Sequence, residues 1–298
     1  MTRRALRERA DRLMAERIPF VHARVVFAEK PTSAKPGDEA LILGDGTMMG
    51  FVGGQCAEST VRAQGLAALQ SGDCVLLRIA PTPEPDQHGK MGVHNPCLSG
   101  GTLEIFMEPM LPVPLVLILG GSPIASALSE IGSTLGYEMA AWVSGPLTNV
   151  DAVVLASHGA QEEAAIIAAL KANVPYIGLV ASPKRGAAVL DSLDVTPSMR
   201  ARVHAPAGLN IGAQSPEEIA VSIFAQIIQE RKTSHHVSGI AMDSADGAPD
   251  AVDPICHMSV AAVESSIHLD FDGDRWYFCC LGCKEKFLTD PAKFAGVM

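Results

Sequence analysis

Three short apolar runs, each followed by a polar turn and then a helical pattern, constrain this chain more than anything else in it. They are Leu115–Leu119, Ala152–Ala156 and Tyr176–Val180. A run with no polar alternation suits a strand buried on both faces, as in a parallel sheet with helices on either side. Helical patterns follow over 126–135, over 161–172 and up to about Leu193. A further helix opens at Ser215-Pro216-Glu217-Glu218, with serine as cap, proline in the first turn and glutamate at the third position. It extends to about Arg231. Residues 113–231 therefore read as a Rossmann-like parallel-sheet domain, and the fold class as α/β.

Ligands of such sheets meet the carboxyl ends of the strands. The first run ends in Gly120-Gly121-Ser122-Pro123-Ile124-Ala125, which approximates G-x-G-x-x-A with Ser122 at the second glycine. A phosphate fits such a turn, at the N-terminus of the following helix. The next strand, Met139–Val143, ends at Ser144 and supplies no acid for a ribose, which argues against a plain NAD site. His158 stands where another strand meets its loop and is expected to face the cleft. Lys184 and Arg185 lie at a comparable edge, as phosphate partners or as a solvated pair.

Residues 1–112 read differently, as a small α+β domain. Apolar residues at Leu6, Ala10, Leu13, Met14 and Ile18 share one helical face. Strands are expected at 21–29, 40–43 and 48–52, with a hairpin at Gly44-Asp45-Gly46. Gly53-Gly54-Gln55-Cys56-Ala57-Glu58 then leads into a helix over 57–69. Cys56 thus sits at or near a helix N-terminus, where the dipole favours a thiolate. Glu58 suits the same dipole, and is alternatively a general base. Cys74, before a strand at 75–79, reads as core. His88 and His94, in a polar stretch over 81–94, read as solvated. Asn95-Pro96-Cys97-Leu98-Ser99-Gly100-Gly101 presents Cys97 on a proline- and glycine-constrained loop ahead of an alternating strand at 102–109. That thiol is either aimed at a ligand or a small buried apolar group.

The formal net charge of −10 excludes a chain that tracks a phosphate backbone, so no nucleic-acid partner is expected. No apolar stretch approaches the roughly 20 residues of a membrane helix. The charged N-terminus has no apolar signal core, so a cytoplasmic setting is expected. Of seven cysteines, four cluster at 256, 279, 280 and 283, a pattern of reduced thiols and a metal site. Residues 232–251, with His235-His236 and no periodicity, read as a linker. Residues 243–298 hold ten acids and four bases, so the tail, 252–298, is an acidic module of its own. So small a core needs a staple. Cys256, Cys279 and Cys283 are the expected ligands of zinc or another soft metal, in a treble-clef-like knuckle. His257, Cys280 or His268 is the candidate fourth ligand, or the site stays open.

At Gly53–Glu58, Asn95–Glu108, Gly120–Ala125, Ser157–Gly159 and Pro206–Ala213, the chain resembles the XdhC/CoxI family. These are accessory proteins of molybdenum hydroxylases such as xanthine and carbon monoxide dehydrogenases. The tail resembles the YHS or TRASH-like metal-binding domain, through its D-P-x-C start and its Y-F-C-x-x-x-C knuckle. Departures from the family pattern are the inserted Gln55, Ser122 for glycine, Pro123 for histidine and Asn210 for aspartate. The resemblance implies a chaperone, not a turnover enzyme. It would bind the molybdenum cofactor, as molybdopterin or its cytosine dinucleotide, and assist its sulfuration and insertion. Cys56, Glu58 and Cys97 match the characteristic positions. Gly53, Gly54, Gly100, Gly101, Gly120, Gly121, Ser122, Ala125 and His158 would contact the cofactor. The implied partners are an apo molybdenum hydroxylase and a cysteine desulfurase, with the chain as a homodimer. Competing readings are a nicotinamide-dependent oxidoreductase and a metal-trafficking or sensing protein that acts through its tail.

Overall fold

The computed structural model describes residues 1–82, 89–95, 101–157, 159, 161–234 and 250–295. They form two compact units: Met1–Pro112 with Gly239–Met298, and Val113–Ser238.

In the first unit, helix α1 (Arg3–Ala15) is capped by Thr2 and lays Leu6 and Leu13 against Phe20 and Leu41. Strands β1 (Phe20–Ala28), β2 (Glu39–Leu43) and β3 (Met48–Gly50) precede helix α2 (Gln55–Ser71); β4 (Val75–Ala80), β5 (Met91–His94) and β6 (Leu103–Met110) follow it. The six strands pair in the order β3-β2-β1-β6-β4-β5. All pairs are antiparallel except β4 with β5. Alternate residues Val21, Ala23 and Val25 of β1 point into a core shared with Ala57, Val61 and Ala68 of α2. Two sequence expectations fail here. Cys74 is exposed, not core, because it stands in the short turn after the left-handed Gly72 cap of α2, outside the alternation of β4. And β5 arises within the stretch read as loop; this short edge strand is mostly exposed and so shows no buried period.

In the second unit, β7 (Leu115–Leu119), α3 (Pro123–Thr134), β8 (Glu138–Ala141), β9 (Ala152–Leu155), α4 (Glu162–Lys171) and β10 (Tyr176–Leu179) alternate as read from the sequence. They are followed by α5 (Pro183–Ser192), α6 (Pro197–Arg200), β11 (Val203–His204) and α7 (Pro216–Ser234). The sheet is wholly parallel, in the order β11-β10-β9-β7-β8. Val116 and Ile118 pack with residues of α3 and α7, and Leu117 and Leu119 with residues of α4. Both faces are thus covered, which is why the run carries no polar residue.

The C-terminal part of the first unit comprises two hairpins, β12 (Asp250–Val252) with β13 (Ser259–Ala261) and β14 (Ile267–Phe271) with β15 (Asp274–Phe278), and helices α8 (Leu281–Thr289) and α9 (Pro291–Ala295). Phe287 is fully buried, and the rings of Phe271, Trp276, Phe278 and Phe294 surround it. Most of the expected linker, including His235 and His236, lies outside the described residues, as does His88. No helix among the described residues is long and apolar enough to cross a membrane.

Glu104 on β6 accepts from Lys90 at 2.8 Å and from Arg78 at 2.7 Å. The Lys90 bond, and then the Arg78 bond, hold its carboxyl below the ordinary glutamate range against the opposing effect of burial. A depressed folded value means that the unfolded chain takes the proton up first. The stabilisation is therefore complete above the ordinary value of about 4.3 and is lost as pH falls through the folded one. Glu104→Gln should cost about 1 kcal/mol at neutral pH and converge on the parent at the acid end of a urea-melt series.

Candidate functional site

Helix α2 begins after a bend that contains Gly53 and Gly54. Gly54 is its cap residue, with no side chain to bond, and Gln55 and Cys56 occupy its first turn. Glu58 follows in the same turn and pairs with Arg62 at 2.9 Å. Its carboxylate serves the helix dipole and an ion pair four residues on. A cavity of about 740 Å³ opens beside this N-terminus, within the size range of small-molecule sites. Gly54, Gln55 and Cys56 form one wall, Lys30 to Ser33 a second, and Asn95, Gly101 and Leu103 a third; Cys280 of the tail closes it. Gly101 has φ near 122°, and a Cβ there would lie 2.3 Å from the Pro31 carbonyl oxygen. Only glycine lets these two loops meet.

The tail docks on α2. Ala63 and Leu66 on its outer face pack with Ala261 and Val263. The Ser265 hydroxyl donates to the Asp45 carbonyl at 3.1 Å, and the Leu281 N–H at the start of α8 donates to the Gln55 side chain at 3.2 Å. Burying the leucine and valine alone is worth about 3–6 kcal/mol, whereas each polar bond contributes about 1 kcal/mol, so the apolar patch dominates the docking. The polar bonds fix the register of the fit. Gln55 is the residue that grips the start of α8.

This docking carries Cys56 to the tail's thiols. Its sulfur lies 4.0 Å from that of Cys279, which in turn lies 3.5 Å from Cys256 and 3.7 Å from Cys283. Two groups with metal-ligand spacing result: Asp253, Cys256, Cys279 and Cys283, and Cys56, Cys279 and Cys280. Among the described residues, neither His257 nor His268 joins them. The three tail cysteines expected from spacing, Cys256, Cys279 and Cys283, come together in the first group, and Cys280 in the second. Spacing alone points neither to Asp253 nor to the arrival of Cys56 beside them. Asp253 is fully buried, and its carboxylate accepts from the backbone N–H groups of Ile255, Cys256 and Cys279. It ties the first knuckle to the second; the aspartate of the D-P-x-C start is the signal that points to it.

The thiols do not titrate alike. The hydrogen bond from Cys279 holds Cys256 below the ordinary thiol range, helped by the Met258 N–H. Cys279 is pushed up by its contacts with Cys256 and Cys56, by burial, and by the charge of Asp253. Cys283 is pushed up first by burial and then by the same carboxylate. Of the three, Cys256 is thus the thiol that ionises most readily, and a bound cation would favour ionisation of its neighbours.

In the second unit, the Gly120 turn is built as expected, with Gly120 pressed against the Ala156 carbonyl at the end of β9. The strand order makes this gap, between β7 and β9, the topological switch point. Ser122, however, is buried as the cap of α3, and its hydroxyl accepts from the Ala125 N–H at 3.2 Å. Pro123 has no N–H, so two of the donors that a phosphate would use are absent or taken. Arg185 pairs with the buried Glu162, which also accepts from Ser157 and Gly159. Cys97, Gly100 and His158 lie outside the described residues. Asn95 and Gly101, which flank the segment of Cys97 in sequence, both line the cavity, and a Cβ on Gly53 would meet Ala57 and Leu103 at its edge.

Comparison with known proteins gives three family matches: XdhC and CoxI family over residues 13–80, XdhC Rossmann domain over 116–227, and YHS domain over 251–297. The chain is 26% identical over 257 residues to the uncharacterized protein YqeB of Escherichia coli, covering 76% of this chain and 46% of that protein. It is 30% identical over 159 residues to a probable xanthine dehydrogenase subunit of Bacillus subtilis, covering 44% and 47%. The chain therefore spans about half the length of the curated relatives it matches. Among solved structures, a xanthine dehydrogenase from Bacillus halodurans aligns with a TM-score of 0.37 and 19% identity, over 76% of this chain and 95% of that one.

Within the Rossmann match, the role of Ser122 is open to direct measurement. As a helix cap, Ser122→Ala should lower stability by about 1 kcal/mol and Ser122→Gly by only a few tenths, in urea melts of the full chain. Calorimetric titration of the parent with NAD or NADP should show no low-micromolar binding. Such binding would favour the nucleotide reading of this turn, and equal costs for the two variants would show that Ser122 does not act as a cap.

Proposed function

We propose that this chain, which belongs to the XdhC and CoxI family and ends in a YHS domain, is an accessory factor that holds the molybdenum cofactor. In this reading it assists the cofactor's sulfuration and its delivery to a molybdenum hydroxylase of the xanthine dehydrogenase type. The observation that supports it is the position of Cys56, in the first turn of α2 on the wall of a 740 Å³ cavity. The donor set fits the group. Thiols of Cys56 and Cys280 suit a thiophilic metal, while Lys30 and Asn95 offer a cation and an amide to a phosphate and a pterin. Bound there, the cofactor would supply a soft molybdenum centre and its exchangeable sulfur.

The residues of the chain have separable tasks. Cys56 would serve as the temporary soft ligand, and Cys97 as its partner by family resemblance. Gly101 brings the Pro31 loop against the third wall and keeps the cavity narrow. Glu58, paired with Arg62, would orient the first turn of α2. The partners of this reading are an apo hydroxylase and a cysteine desulfurase. The YHS domain would hold zinc or another soft cation through Cys256, Cys279 and Cys283. The oxidoreductase reading is disfavoured by the Ser122 cap and by the absence of an acid at Ser144.

Cys56→Ser and Cys97→Ser should each lower the molybdenum and pterin that co-purify with the protein by roughly tenfold or more, and lower activation of a client hydroxylase in parallel. Cys74→Ser, at an exposed thiol, should change neither. Variants that melt several degrees lower yet load the client normally would mark the two cysteines as packing residues.

A further inference from the structure

The YHS match ends the chain, yet its central sulfur touches a residue 223 positions earlier. Cys279 is 2% exposed and faces thiols on two sides. On one side stand Cys256 and Cys283, with Asp253. On the other stand Cys280, at the cap position of α8, and Cys56, in the first turn of α2. All three sulfurs of this second group lie within 4.8 Å of one another. The Gln55 side chain, bonded to the Leu281 N–H, fixes the two helix starts against each other at this point.

We propose that Cys56, Cys279 and Cys280 form a metal site built jointly by α2 and the YHS domain, for a soft monovalent cation of the copper(I) and silver(I) class. The donor count selects the class. Three sulfurs with no carboxylate or imidazole are short of the four ligands of a structural zinc site, whereas thiolates alone suit a soft monovalent ion. The spacing agrees. Sulfurs each about 2.3 Å from a shared ion in a trigonal plane lie about 4.0 Å apart, the separation of Cys56 and Cys279. The site adjoins the cavity, whose wall includes both Cys56 and Cys280. An ion bound here would take up the thiol that the cofactor reading assigns to molybdenum, so metal loading and cofactor docking would compete for Cys56. The inference rests on reading the YHS domain as metal-binding.

The test uses the full chain and silver(I) in chloride-free buffer, with alkylation of each cysteine mapped by mass spectrometry. One equivalent of silver should slow alkylation of Cys56 and Cys280 together with Cys279, and leave exposed Cys74 at its metal-free rate. In competition with a chelator, Cys56→Ser and Cys280→Ser should each weaken silver binding about tenfold or more, and Cys74→Ser should not. Protection of Cys256, Cys279 and Cys283 alone, with Cys56 reacting at its metal-free rate, would overturn the joint site and leave the YHS metal reading standing. No protection of any cysteine would overturn both. The mapping on the parent chain decides the question even where a serine variant fails to fold.

Discussion

Helix α2 is held on two faces, and the first unit depends on it. Ala57, Val61 and Ala68 seat it on the six-stranded sheet, while Ala63 and Leu66 carry the C-terminal hairpins. Small residues make this possible. A Cβ on Gly65 would come within 2.8 Å of the Ile42 side chain, so a larger residue there would require that side chain to shift. Both faces are thus engaged in packing. Cys56 is therefore aimed by packing, not by a flexible loop, and any ligand it meets is met at little further cost in entropy.

Asp253 has a comparable role on the other side of the cluster. It is a fully buried carboxylate whose oxygens accept from three backbone N–H groups. Its charge also discourages the neighbouring thiols Cys279 and Cys283 from ionising. The same residue thus orders the knuckle and keeps the thiols around it largely protonated. A cation reverses that balance, since it offsets the carboxylate and the thiolates together.

Much of the architecture is legible in the sequence because it rests on local periodicity. The parallel sheet is written in Leu115–Leu119 and its two successors, whose lack of alternation reports two covered faces. The cap at Ser215 is readable from its neighbours. Ser122 reads as a replacement for the second glycine of a phosphate turn, and in the structure its hydroxyl takes an N–H that a phosphate would use. Elements with no period are lost. Strand β5 is a short and mostly exposed edge, and Cys74 sits in the turn just before β4. The clustering of the tail's cysteines can be read because their spacing is local. The contact of Cys56 with Cys279 is invisible, because it depends on an apolar patch on the far side of α2 that reads as ordinary helix. Gln55 is visible only as an insertion, and its purpose emerges from the N–H that it accepts.

The sequence separation of Cys56 and Cys279 has a temporal meaning. Synthesis at about 5–20 residues per second leaves roughly 10–45 s between the emergence of the two, with the whole parallel-sheet unit made in the interval. Through that period the six-stranded sheet and α2 exist without their C-terminal hairpins. The cavity is then open on the side that Cys280 later closes, and the outer face of α2 is bare. A small molecule entering a nascent chain meets a wider mouth than one entering the finished protein. The YHS domain thus adds its side of the cavity only after the parallel-sheet unit has been made.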